Sequence, residues 1–108
     1  MKLSEVAARA SPVFRKYGVV RAIVFGSWAR ETATRRSDLD LILVQETERR
    51  FFERYDGLLL ELGLALPGIE LDVLIYTARE LEELAVRPLI STALREGKTI
   101  YECGEESP

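Results

Sequence analysis

Asp38 and Asp40 stand two residues apart at the opening of an apolar run, Leu39 to Val44, and Asp72 interrupts a second apolar run between Leu71 and Val73. Residues two apart in a strand share a face, so Asp38 and Asp40 project together while Leu39 points the other way, into the core. Two such carboxylates repel by roughly 3–4 kcal/mol at an effective dielectric near 20. An apolar strand keeps that pair only if something cationic neutralises it. If the two strands are neighbours, Asp72 joins the patch as a third acid. The chain has no histidine, so a metal here would be held by oxygen: magnesium, manganese or calcium. Magnesium suits three carboxylates best, because it shares its shell with phosphate oxygens. Two ions about 3.5–4 Å apart would activate an attacking oxygen and steady a departing pyrophosphate.

Gly26-Ser27 complements the acids. The glycine lets the backbone approach a phosphate, and a helix start at Ser27 would offer free N–H groups and the positive end of its dipole. The plain alternative is a strand-to-helix turn with Ser27 as N-cap. Arg30 would contact phosphate or pair with an acid at the sheet edge. Ion pairs with Arg30, Arg35 or Arg36 are the structural alternative for the three acids themselves. Asp38 beside Ser37 would pass as a turn residue if it stood alone, whereas Asp40 and Asp72 are costly inside apolar strands unless paired. Trp28, Glu70, Tyr76, Tyr101 and Cys103 are read as packing or surface residues.

The elements that must hold these residues follow from periodicity. Residues 2–17 repeat apolar side chains at helical spacing up to Gly18. Val19 to Phe25 is a β-branched and aromatic strand. Ser27 to about Ala33 is expected as a short helix and Thr34–Ser37 as a polar connection, followed by the strand Leu39–Val44. Phe51 to Leu62 fits one helix, closed by Pro67-Gly68 before a strand from Ile69 to Tyr76. Helices near 78–86 and 88–96 follow, with Pro88 in a first turn and Gly97 as cap. Thr99–Tyr101 is a short edge strand, and Gly104–Pro108 a frayed tail. The fold class is α/β: a small mixed β-sheet with flanking helices, in one domain over residues 1–108.

Composition narrows the function. The 108 residues are 47% hydrophobic and 31% charged, ordinary for a folded protein. Acids outnumber bases by 18 to 15, against a protein that grips a nucleic-acid backbone. One cysteine allows no internal disulfide, and no apolar run nears the roughly 20 residues of a membrane span. A cytoplasmic setting is expected. The missing histidine excludes Ser-His-Asp and Cys-His nucleophiles and His-ligated zinc.

Gly26-Ser27-x-Ala29-Arg30 followed by Ser37-Asp38-x-Asp40-Leu41, with Asp72 on a later strand, resembles the polymerase-beta-like nucleotidyltransferase superfamily, and most closely its minimal nucleotidyltransferase branch. The first helix and the closing Arg95–Tyr101 share that resemblance. It implies a transfer of a nucleoside monophosphate, AMP from ATP or another nucleoside triphosphate, to an acceptor hydroxyl. It implies Asp38, Asp40 and Asp72 as metal-binding catalytic acids, Gly26, Ser27 and Arg30 as nucleotide-binding residues, and Mg2+ (or Mn2+) as cofactor. Members of the branch are often paired with a HEPN-domain protein as the antitoxin of a toxin–antitoxin module, and some modify a tyrosine of that partner. The chain shows no acceptor-binding domain, so the acceptor is expected on a separate protein, or the site is expected to be completed in a homo-oligomer. The rival reading is a non-catalytic antitoxin that neutralises its partner by binding alone.

Overall fold

The computed structural model describes residues 1–34 and 36–103. The expected roles of Arg35 and of the tail from Gly104 lie outside the described residues. The element order is α1 (Leu3–Lys16), β1 (Val19–Phe25), a 3-10 turn (Gly26–Trp28), β2 (Leu39–Gln45), a 3-10 segment (Phe51–Tyr55), α2 (Leu58–Ala65), β3 (Leu71–Tyr76), α3 (Ala78–Leu84), α4 (Pro88–Glu96) and β4 (Lys98–Glu102).

The four strands form one sheet in the order β3-β2-β1-β4. β1 runs antiparallel to both β2 and β4, while β2 and β3 are parallel, which makes the sheet mixed as expected. β2 is apolar on both faces because both are covered. Leu39, Leu41 and Leu43 lie fully buried in a core shared with Val6, Phe14, Leu58 and Leu62 of α1 and α2. Ile42 and Val44 point the other way, against Leu81 of α3 and Ile90 of α4. The alternation of a strand thus divides one sequence run between two helix layers.

Two expected helices are corrected. The segment Ser27–Ala33 is no α-helix: a single 3-10 turn covers Gly26–Trp28, its N-cap is Phe25, and no side chain caps it. The chain then leaves helical geometry at Glu31, whose φ is 61°. The proposed helix dipole is lost with it; what remains for a phosphate is the turn's own N–H groups. The segment Phe51–Leu62 is two pieces, not one helix, because Gly57 takes a φ of 77° between them. A side chain there would be strained by that φ, and its Cβ would come within 2.7 Å of the Tyr17 hydroxyl oxygen. Elsewhere the bounds move by a residue or two. β3 begins at Leu71 rather than Ile69, just after the Glu70 carbonyl accepts the Leu39 N–H at 2.8 Å.

Candidate active site

The strand ladder sets Asp40 and Asp72. Asp40 is the register partner of Phe25 in β1 and of Asp72 in β3. The end of β1, the start of β2 and the start of β3 therefore form one row, with Gly26 at one side and Asp72 at the other. Leu39 is buried beneath α1 and α2, so Asp40 takes the opposite face, as the spacing requires. Asp38 precedes the strand and is exposed; Asp72 is exposed and Asp40 half-buried. The conditional expectation that Asp40 and Asp72 sit on neighbouring strands is met.

Gly26 is fitted to Asp40 as well as to a turn. Its φ is 73°, and a Cβ added there would collide with the Asp40 carboxylate, Oδ2 first. Only glycine lets this carboxylate lie against the turn. The Ser27 hydroxyl makes no hydrogen bond among the described residues, while its carbonyl accepts from the Thr32 N–H at 2.9 Å.

Among the described residues, the row has little electrostatic compensation. Burial, then Asp72, then Asp38 push the Asp40 carboxyl above the ordinary carboxylate range, and Arg30 pulls it down by a smaller amount. Arg30 is exposed and, among the described residues, none of the three acids makes an ion pair. Paired acids were the alternative reading, and the described arginines do not supply it.

The donor set fits a hard cation, being carboxylate oxygen throughout and short of positive charge. The side chains are not yet gathered: among the described residues, no three Asp, Glu or Cys side chains stand around one metal position. The ladder sets the backbone positions of Asp40 and Asp72 as register partners on one face.

A cavity of about 1030 Å3 beside the turn is lined by Leu3, Trp28, Thr34, Ser37, Ile69 and Lys98 among others, and includes none of the three acids. The acids instead occupy an open end of the sheet. The chemistry of the side chains, rather than concavity, marks the site.

Trp28 and Arg54 carry more than the sequence shows. The Trp28 indole packs on the core and donates from Nε1 to the Ser37 carbonyl at 3.4 Å. Arg54 is buried and bonded to Glu80. The first motif leaves the Trp28 position free, and the Arg54 partner is 26 residues away in the chain; neither pairing has a local signature. Glu70 is exposed as expected. Tyr101 stacks near Phe14 at 5.2 Å and Tyr76 near Phe51 at 5.8 Å, which accounts for both as packing residues.

Comparison with known proteins places this geometry. The family model for polymerase beta nucleotidyltransferase matches residues 9–106, and the chain belongs to that family. It is a nucleotidyltransferase of the minimal type: a solved chain described as "putative minimal nucleotidyltransferase" is 35% identical, with a TM-score of 0.67 over 91% of this chain and 95% of the other. A relative from Methanocaldococcus jannaschii, named "putative protein adenylyltransferase MJ0435", is 38% identical over 78 residues, 72% of this chain and 82% of its own. A toxin–antitoxin structure with AMP-PNP has the same fold at 20% identity, with a TM-score of 0.68 over 93% of this chain and 76% of that one. Among the described residues, no helix is long and apolar enough to cross a membrane.

Proposed function

We propose that this nucleotidyltransferase is a protein adenylyltransferase: it moves AMP from ATP to a hydroxyl on a HEPN-type partner toxin, in the cytoplasm, and so acts as the antitoxin. The observation that carries the reading is the row of Gly26, Asp40 and Asp72 across three strand ends, with Asp38 two residues before Asp40. The adenylyl group and the protein acceptor are supported by the name of the 38% identical relative. The toxin partner is suggested by the complex in which the similar fold occurs.

In this reading Asp38, Asp40 and Asp72 would hold Mg2+, with Mn2+ as a substitute, and Gly26 and Ser27 would hold the terminal phosphates through backbone N–H groups and the Ser27 hydroxyl. Bound magnesium would supply charge neutralisation for the triphosphate and for the departing pyrophosphate. Arg30, exposed and close enough for its charge to act on Asp40, would meet phosphate oxygens. The acceptor oxygen forms a bond to the α-phosphorus as the bond to the bridging oxygen of the β-phosphate breaks. The hydroxyl proton passes to Asp72, the most open of the two ladder-held acids, and from there to water.

Co-expression with the toxin followed by intact-mass measurement tests this. The partner should gain one or more AMP units, and an Asp72→Ala chain should add none. A partner that is silenced but unmodified, with Asp72→Ala silencing it equally well, would replace transfer by binding alone.

A further inference from the structure

Resting on the active site proposed above, we propose that Trp28 is a positioning residue which sets Asp38 against the Gly26–Ser27 turn. The three acids are held by different means. Asp40 and Asp72 are ladder partners, and Asp40 also pairs with Phe25. Asp38 has no such partner: β2 begins at Leu39, whose N–H donates to the Glu70 carbonyl at 2.8 Å. Its place therefore depends on the loop that leads to it.

That loop is tied to the turn at its start, where the Ser27 carbonyl accepts the Thr32 N–H at 2.9 Å and the Thr32 hydroxyl at 3.3 Å, and farther along it is closed on itself. The Ser37 N–H donates to the Thr34 carbonyl at 3.1 Å, and the Ser37 Oγ accepts the Thr34 N–H at 2.8 Å. These bonds tie Thr34 to Ser37 and join neither to the Gly26–Trp28 turn. Farther back, Glu31 meets Lys98 at 3.3 Å, an exposed pair that holds little. Among the described residues, the indole Nε1 bond to the Ser37 carbonyl, at 3.4 Å, is the side-chain hydrogen bond joining the Gly26–Trp28 turn to the residue before Asp38. The indole is itself half-buried and packs against the core cluster. A rigid ring thus carries the position of the phosphate turn to the one acid that the ladder leaves free. Trp28 acts through Asp38 and has no contact with the reaction.

Two measurements test the assignment. Trp28→Phe keeps an aromatic ring on the core and removes the donor. Calorimetry should show Mg–ATP binding weaker by roughly 3- to 10-fold, the scale of one hydrogen bond, with a metal-free melting temperature close to that of the unmodified chain. A ring that served packing alone would lower the melting temperature and leave the dissociation constant of the folded protein unchanged; a constant within twofold overturns the proposal. The second measurement needs no altered tryptophan. Trp28 is the chain's single Trp, so Mg2+ with ATP should change its emission in the unmodified protein and fail to do so in Asp38→Asn; unchanged emission in the unmodified protein contradicts the link. Asp40→Asn separates this from the site itself. If that variant binds Mg–ATP undiminished, the site reading falls; if it loses binding while Trp28→Phe keeps it, only the role of Trp28 falls.

Discussion

Two groups of charge adjoin β3, and the protein treats them in opposite ways. At one, Arg54 is only 5% exposed and almost fully satisfied. It donates to both carboxylate oxygens of Glu80, at 2.6 and 2.9 Å, to the Ile75 carbonyl at 3.3 Å and to the Arg49 carbonyl at 3.0 Å. Glu80 also accepts the Thr77 N–H at 2.9 Å, closing the cap of α3. At the other, Asp38, Asp40 and Asp72 share an end of the sheet with no ion pair among the described residues. A charge that serves the fold is given partners by the fold. Like charges gathered without partners cost stability, and their natural partner is a ligand.

The largest effect should come from emptying the second group. Asp40→Asn should reduce nucleotidyl transfer by on the order of 10²-fold or more, the scale of losing one preorganised electrostatic group. Its metal-free stability should hold or rise, because the change relieves repulsion from Asp72 and Asp38. Urea unfolding beside a transfer assay measures both; a destabilised variant with normal transfer would make Asp40 a structural acid.

Arg54→Met should do the reverse. Glu80 is partly open to water and can rehydrate, so the loss should be about 2–3 kcal/mol, below the usual range for a wholly buried pair. Transfer per folded molecule should not change. A large activity loss at full stability would join Arg54 to the site and dissolve the contrast.

Acid gives a smaller effect. The Arg54 guanidinium, then the Thr77 backbone, hold the Glu80 carboxyl down to about 2, against 4.5 for the free group. Its contribution is therefore complete above pH 4.5 and is lost as pH falls towards 2. With half its shift discounted for solvent screening, about 1–2 kcal/mol is at stake. Glu80→Gln should flatten that part of the stability curve between pH 4.5 and 2, as read by unfolding at several pH values.

The same contrast explains what one sequence reveals. β1 and β2 are legible because β-branched and apolar runs of strand length leave little choice, and α4 because Pro88 and Gly97 bracket it. Asp38 and Asp40 are legible as a pair through the two-residue repeat. The breaks at Gly57 and after Trp28 are hidden, since apolar periodicity runs on through a single residue with positive φ. The meeting of Asp40 with Asp72 depends on parallel pairing across an intervening helix, which the sequence permits but does not state. The Thr77–Glu80 cap of α3 appears only in the structure, and nothing local says that Arg54 is its third member.

Thermal unfolding with and without Mg2+ and ATP tests most directly whether the unpaired acids await a ligand. At 100 times the dissociation constant the unmodified chain should gain about 2.7 kcal/mol, and the triple change Asp38→Asn, Asp40→Asn, Asp72→Asn should lose most of that gain while starting from equal or greater metal-free stability. An equal ligand-induced gain in the triple variant would mean that ATP binds elsewhere and that the acids are not its site.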